Sequence, residues 1–188
     1  MHNIILASQS PRRKQLLEQA GYSFTIVIAD VDETNPPGMH GMDVPEFLAK
    51  KKAAAIEANQ PADAVIIAAD TVVLLDDEIL GKPVDTAHAK ETLKKLSGRM
   101  HQVVTGVCIQ KGDDQRSFSV ITEVYFRPLT EDQIDFYVEK YSPMDKAGAY
   151  AIQEWIGLLG IERINGDYYN VMGLPIGEVA LVLDSLNS

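Results

Sequence analysis

Apolar positions along the chain follow two rhythms, and the switches between them mark out the elements. Ile4 to Ala7 form a short continuous run of strand type, whereas Leu16, Leu17 and Ala20 share one face at helical spacing. At that switch Ser10 suits the helix N-cap, Pro11 the first helical position and Gly21 the stop. After "NPPGMHGM" at 35–42, a loop long enough for a lid or a simple connection, Asp43 and Glu46 have the spacing of a capping box. They predict a helix to about Asn59. On it Lys52 stands four residues after Leu48 and three before Ala55, beside the inward face, while Lys50 and Lys51 point elsewhere.

In "AVIIAADTVVLLDDEILGKPVD" two apolar runs flank Asp76, Asp77 and Glu78, the pattern of a β-hairpin with an acidic turn. A helix from about Thr86 to Ser97 stops at Gly98, and "HQVVTGVCIQ" and "RSFSVITEVYF" read as strands around "KGDDQ". Thr130 and Gln133 form a second capping box, for a helix to about Tyr141. The remaining chain predicts a loop, short strands and a last helix starting at Pro175. Strands alternating with amphipathic helices give the α/β class, and 188 residues without repeats or long linkers give a single domain over 1–188.

Composition narrows the function. No apolar run approaches the roughly 18 to 20 residues of a membrane span, and "MHNIILAS" lacks the features of a signal peptide, so the expectation is a cytoplasmic protein with no membrane partner. The single cysteine, Cys108, lies inside a strand pattern and reads as a reduced core thiol. A net charge of -10 argues against a nucleic-acid partner, which calls for a broad basic face. A small anion in a local basic cleft remains compatible with that charge, and acidic surroundings suit a divalent metal.

Two groups of residues stand out against this background. Arg12 and Arg13 fall in the first turn of a helix, where the macrodipole disfavours cations by up to about 1 kcal/mol each. Either a bound anion, foremost a phosphate chain, or acidic side chains nearby explains them. Asp70 interrupts an apolar run, and an ionised carboxylate there must be paired, bonded to backbone amides or engaged with a metal. Lys52, Lys82, Arg12 and Arg13 supply cations on separate elements, and Glu33 supplies a second acid. Together they suit a metal-bound polyphosphate attacked by water. Ser8 reads as a phosphate donor and Ser10 as a cap, since neither has a G-x-S-x-G context. Neither a Walker A sequence nor G-x-G-x-x-G is present, and Arg99 and His101 have no neighbours at zinc-ligand spacing. Tyr150 and Trp155 have the chemistry to stack a base, although such aromatics more often fill a core.

The ordered set "LASQSPRRKQLL", "AADTVV", "LGKPVD", "LSGRMHQVVTGV", "TEVYFRPL", "DKAGAYAIQ" and "NVMGLP" resembles the Maf family of nucleoside triphosphate pyrophosphatases over nearly the whole chain. The resemblance implies an α/β fold like that of Maf and inosine triphosphate pyrophosphatases, an elongated mixed sheet flanked by helices with two lobes about a central cleft. It implies hydrolysis of a nucleoside triphosphate substrate to the monophosphate and pyrophosphate with a divalent cation, Mg or Mn, and a homodimer as the partner arrangement. By resemblance Asp70 is the proton acceptor, and Ser8, Arg13, Glu33, Lys52 and Lys82 face phosphate or metal, with Glu33 and Asp70 on the metal. "SPRR", "ADT" and "AYAIQ" are similar to the branch acting on dTTP and UTP, whose specificity positions correspond to Arg12, Thr71 and Gln153. An amide at Gln153 offers a donor and an acceptor to a pyrimidine edge. The chain then continues with Glu154 and Trp155 where the family usually has glycine.

Three other readings accompany this one. A non-catalytic nucleotide-binding regulator of septum formation would need cations more than the paired acids Asp70 and Glu33. A pyrophosphatase of different base preference, such as 7-methyl-GTP, keeps the phosphate half and changes the base pocket. A sugar-phosphate nucleotidyltransferase would place glycines in the first loop, and "ASQSPRR" has none.

Overall fold

The computed structural model describes residues 3–186. Its centre is a seven-stranded sheet in the order β2 (Phe24–Ile26), β1 (Asn3–Leu6), β3 (Ala64–Leu75), β5 (Met100–Lys111), β6 (Asp114–Phe126) and β7 (Ile161–Asn165), with β4 (Glu78–Leu80) also paired to β3. Strand β1 runs parallel to β2 and β3, and every other pairing is antiparallel, so the sheet is mixed as expected.

Strand β3 is apolar along most of its length because both faces are covered. Val65, Ile67, Ala69, Val73 and Leu75 join the larger core, while Ala64, Ile66, Ala68, Val72 and Leu74 face the opposite side. That opposite side is covered by α2 (Val44–Glu57) through Leu48, Ala49, Ala53 and Ile56. The larger core is closed by α1 (Pro11–Gln19), α3 (Thr86–Leu96), α4 (Glu131–Tyr141), α5 (Trp155–Leu159), α6 (Tyr168–Met172) and α7 (Ile176–Ser185). None of these helices is long and apolar enough to cross a membrane. Cys108 is buried as expected, and burial pushes its thiol up to about 11.

Gly106 on β5 sets how close α2 can lie. A Cβ there would stand 2.1 Å from the Glu46 nitrogen and 2.3 Å from the Pro45 carbonyl carbon, so only glycine admits the first turn of α2. The partner of Gly106 across the ladder is Asp70.

Local signals fared according to how local they were. The Thr130–Gln133 capping box forms at 3.2 and 2.9 Å, and the Ser10 hydroxyl accepts from the Arg13 amide at 3.4 Å. The hairpin turn has positive φ at Asp76 and Asp77, with Glu78 already in β4. The capping box expected at Asp43 and Glu46 does not form. Asp43 makes no side-chain cap bond, and Glu46 instead accepts from Ser117 at 2.8 Å and Ser119 at 3.2 Å on β6 and pairs with Lys50. The last helix begins at Ile176, one residue after Pro175. Between α4 and α7 the expected short strands reduce to β7, with short helical segments around it.

Candidate active site

The outer edge of β3 is interrupted. Strand β1 pairs with it from Ala64 to Ile67, β4 pairs from Val73 to Leu75, and residues 68–72 have no strand on that side among the described residues. Because the Ile67 carbonyl accepts from Ala7 at 2.8 Å, alternation points the peptide groups of Ala69, which is buried, and Thr71 to the same side of the strand. Asp70 and Thr71 lie in the opening, and the strand's period of two sends their side chains to opposite faces of the sheet. A cleft of about 600 Å³ surrounds the opening. Its walls include every residue expected at the site: Ser8, Arg12, Arg13, Glu33, Lys52, Asp70, Thr71, Lys82 and Gln153.

On the α2 side the ammonium of Lys52, a buried residue, is bracketed by two carboxylates, Asp70 Oδ1 at 2.6 Å and Glu33 Oε1 at 2.8 Å. Asp70 is thus paired with a cation, one of the ways a carboxylate in an apolar run is compensated. The hydrogen bond from Lys52 holds the Glu33 carboxyl below its ordinary range. Asp70 Oδ2 carries no protein hydrogen bond among the described residues and remains available to water.

On the other side Arg13 is half-buried, and its guanidinium is a structural tie as well as a charge. Its Nε donates to the Gly173 carbonyl at 2.7 Å, one terminal nitrogen to Ser8 Oγ at 3.2 Å and the other to Thr71 Oγ1 at 2.9 Å. Burial lowers the Arg13 pKa, and the charge of Asp70 opposes that effect. Of its five N–H groups, these bonds leave two for a ligand. Thr71 is held in turn by Thr105 at 2.9 Å, so its hydroxyl is committed to the protein. Arg12 reaches Asp145, also in the cleft wall, at 3.4 Å.

Lys82 is exposed on the rim, and Gln153 is exposed on the far wall, its amide without a protein partner among the described residues. Sequence reasoning missed Asp145 and Lys146, which also line the cleft. Lys146 is buried and pairs with Asp145 at 2.9 Å and Glu154 at 3.4 Å. The signal was available: charged residues beside the small-residue run "AGAYA" pose the same question as Asp70 in its apolar run. Tyr150 lines the cleft with its ring edge-on to His101 and Phe126, whereas Trp155 packs against Phe136 of α4.

No group of three or more His, Cys, Asp or Glu forms a metal cluster among the described residues. Glu33 and Asp70, both on the Lys52 ammonium, do supply the donor type of Mg or Mn, which characteristically take one or two protein carboxylates and complete their shells with phosphate and water oxygens.

The profile of the family described as Maf-like protein matches residues 3–186. The chain is 50% identical over 188 residues to a dTTP/UTP pyrophosphatase of Cytophaga hutchinsonii, covering 99% of this chain and 86% of that one. It is 46% identical over 186 residues to a dTTP/UTP pyrophosphatase of Bacteroides fragilis, covering 98% and 96%. A solved structure of a nucleoside-triphosphatase / dITP/XTP pyrophosphatase from Mycobacterium abscessus aligns with a TM-score of 0.43 at 15% identity, over 68% of this chain and 75% of that one.

Proposed function

The chain belongs to the Maf family, and from that premise we propose that it hydrolyses dTTP and UTP to the nucleoside monophosphate and pyrophosphate. The observation that carries the reading is the pair of carboxylates on the Lys52 ammonium, set in a cleft whose other walls hold Arg12, Arg13, Lys82 and Gln153.

Asp70 takes the proton of the attacking water at its uncommitted Oδ2, while Lys52 on Oδ1 orients the carboxylate. The water oxygen forms the new bond to the α-phosphorus as the bridging oxygen leaves with pyrophosphate. Arg13, Lys82 and Lys52 stabilise the charge gathering on the leaving group, and Ser8 donates to a phosphate oxygen. Glu33 and Asp70 would hold Mg or Mn together with the substrate's phosphate oxygens; when bound, the ion neutralises phosphate charge and lowers the pKa of water. Lys52 would then contact phosphate as well as the two acids. Gln153 and Arg12 read the base, which places Glu154 and Trp155 next to the specificity-determining position.

The test is a panel of dTTP, UTP, CTP, ATP, GTP and 7-methyl-GTP with magnesium or manganese, resolving nucleotide and phosphate products. The expected result is monophosphate plus pyrophosphate, with dTTP and UTP fastest. Diphosphate plus orthophosphate would overturn the cleavage site, and faster purine turnover would overturn the base preference. Nucleotide binding without any product would mark a regulator.

A further inference from the structure

Gln153 occupies the tip of a β-turn, Ala151 to Glu154, closed by the Glu154 amide donating to the Ala151 carbonyl at 3.1 Å. Its own amide has no protein partner among the described residues, so the turn's backbone is what sets where the side chain leaves the chain. Both ends of that turn are fastened to one atom. The hydroxyl of Tyr137 on α4 accepts from the Ala151 amide at 3.1 Å and donates to Glu154 Oε2 at 2.5 Å. The other carboxylate oxygen of Glu154 faces Lys146 at 3.4 Å, which ties the start of the cleft-lining segment to its end. Trp155 then lies against Phe136 on the same helix, with ring centroids 5.0 Å apart. The two residues that depart from the usual family pattern thus both dock on α4.

We propose that Tyr137 and Glu154 are positioning residues for base selection, a clamp that fixes where Gln153 presents its amide. The inference rests on the reading that Gln153 recognises the pyrimidine edge. Tyr137 is fully buried and stacks on Tyr141, so its ring is held by packing independently of the hydroxyl. The hydroxyl serves the turn instead. Burial and the hydrogen bond to Glu154 push its pKa far up, which keeps the proton available for donation. Losing the clamp would let the turn shift relative to the triphosphate half of the cleft, which Arg13, Lys52 and Lys82 hold separately. A base edge is read by hydrogen bonds of narrow geometry, whereas phosphate charge tolerates displacement.

The measurement is kcat/KM for UTP relative to CTP, two substrates of equal ring size that differ at the edge an amide reads. Tyr137→Phe and Glu154→Gly should each lower this ratio roughly 3- to 10-fold, the factor of one misplaced hydrogen bond, mainly by raising KM for UTP with kcat within about twofold. Glu154→Gln, whose amide oxygen still accepts from Tyr137, should retain the ratio. In a Gln153→Ala background Tyr137→Phe should change the ratio no further. Should Tyr137→Phe fail to fold, the two Glu154 variants decide by the same ratio. If Gln153→Ala leaves the ratio intact, the underlying reading of Gln153 fails. If Gln153→Ala collapses it while Tyr137→Phe and Glu154→Gly do not, or if Tyr137→Phe lowers it further without Gln153, the clamp is refuted.

Discussion

Replacing Asp70 by Asn separates the catalytic from the structural account of the carboxylate pair. The substitution preserves shape, and the amide oxygen still accepts from Lys52, which stands 2.6 Å from Asp70 Oδ1. What disappears is the proton acceptor and one negative charge. Loss of general-base help costs about 100- to 10,000-fold in rate, or roughly 2.7 to 5.5 kcal/mol on the barrier. Stability moves much less. A hydrogen bond to a charged partner contributes about 1.5 to 3 kcal/mol, but here it is weakened rather than removed. Lys52 also keeps Glu33 at 2.8 Å, so its ammonium is not left uncompensated, and relieving a carboxylate that is only 15% exposed offsets part of the loss. The net change is about 1 kcal/mol or less, which for a chain of this size shifts the melting temperature by no more than about 4 °C. The paired assay is pyrophosphate release at saturating nucleotide and metal, and thermal unfolding with and without nucleotide. A variant that unfolds many degrees earlier yet turns over at near-normal rate would make Asp70 a structural carboxylate and refute its assignment as the base.

Arg13→Lys should abolish activity and also lower stability by about 1 to 3 kcal/mol, because a lysine cannot replace the three bonds to Gly173, Ser8 and Thr71 at once; an unaltered urea midpoint would show that these ties contribute nothing. His101 is buried with Nε2 on the Tyr150 hydroxyl, and burial lowers its pKa to about 3. From about 6.5 down towards 3 the unfolded chain therefore binds a proton that the folded chain refuses, and stability falls with pH by up to about 1.4 kcal/mol per unit from this group. Urea denaturation at pH 7, 6 and 5 should give a shallower decline for His101→Gln than for the parent, and parallel declines would clear His101 of the effect. Gly106→Ala should cost several kcal/mol and displace α2, since backbone 2.1 Å away has no flexible end to yield; soluble, active protein with an unchanged melting temperature would contradict that close approach.

What could be read in advance divides by the range of the interaction. The Thr130 box and the Ser10 cap are contests between neighbours a few residues apart, and the sequence contains both contestants. Asp70 and Lys52 were visible because a charge in an apolar run and a lysine beside an inward helical face need a reason, and here each is the other's reason. Thr71 and Gln153 carry no such local oddity and were reached through motif resemblance. The Glu46 box failed because two serines on β6, more than seventy residues away, compete for the same carboxylate. Arg13 likewise finds Gly173 at a separation of 160 residues, a partner that no periodicity announces. Strand β2 is three residues long, too short for a period of two to stand out, and exists because β1 supplies its parallel neighbour.

The interrupted edge of β3 also has a bearing on aggregation. A strand with unpaired ladder groups is a template for another chain, and proteins usually guard such edges. Here the stretch without a strand neighbour is five residues, about 17 Å, bounded at one end by β1 and at the other by β4, and within it only Asp70 and Thr71 are not fully buried. An intruding segment would have to enter past Arg12, Arg13, Lys52 and Lys82, whose charges an apolar β-forming peptide cannot satisfy. The cations suited to a triphosphate thus double as gatekeepers, and neutralising several of them together would expose the most apolar strand of the protein to strand addition.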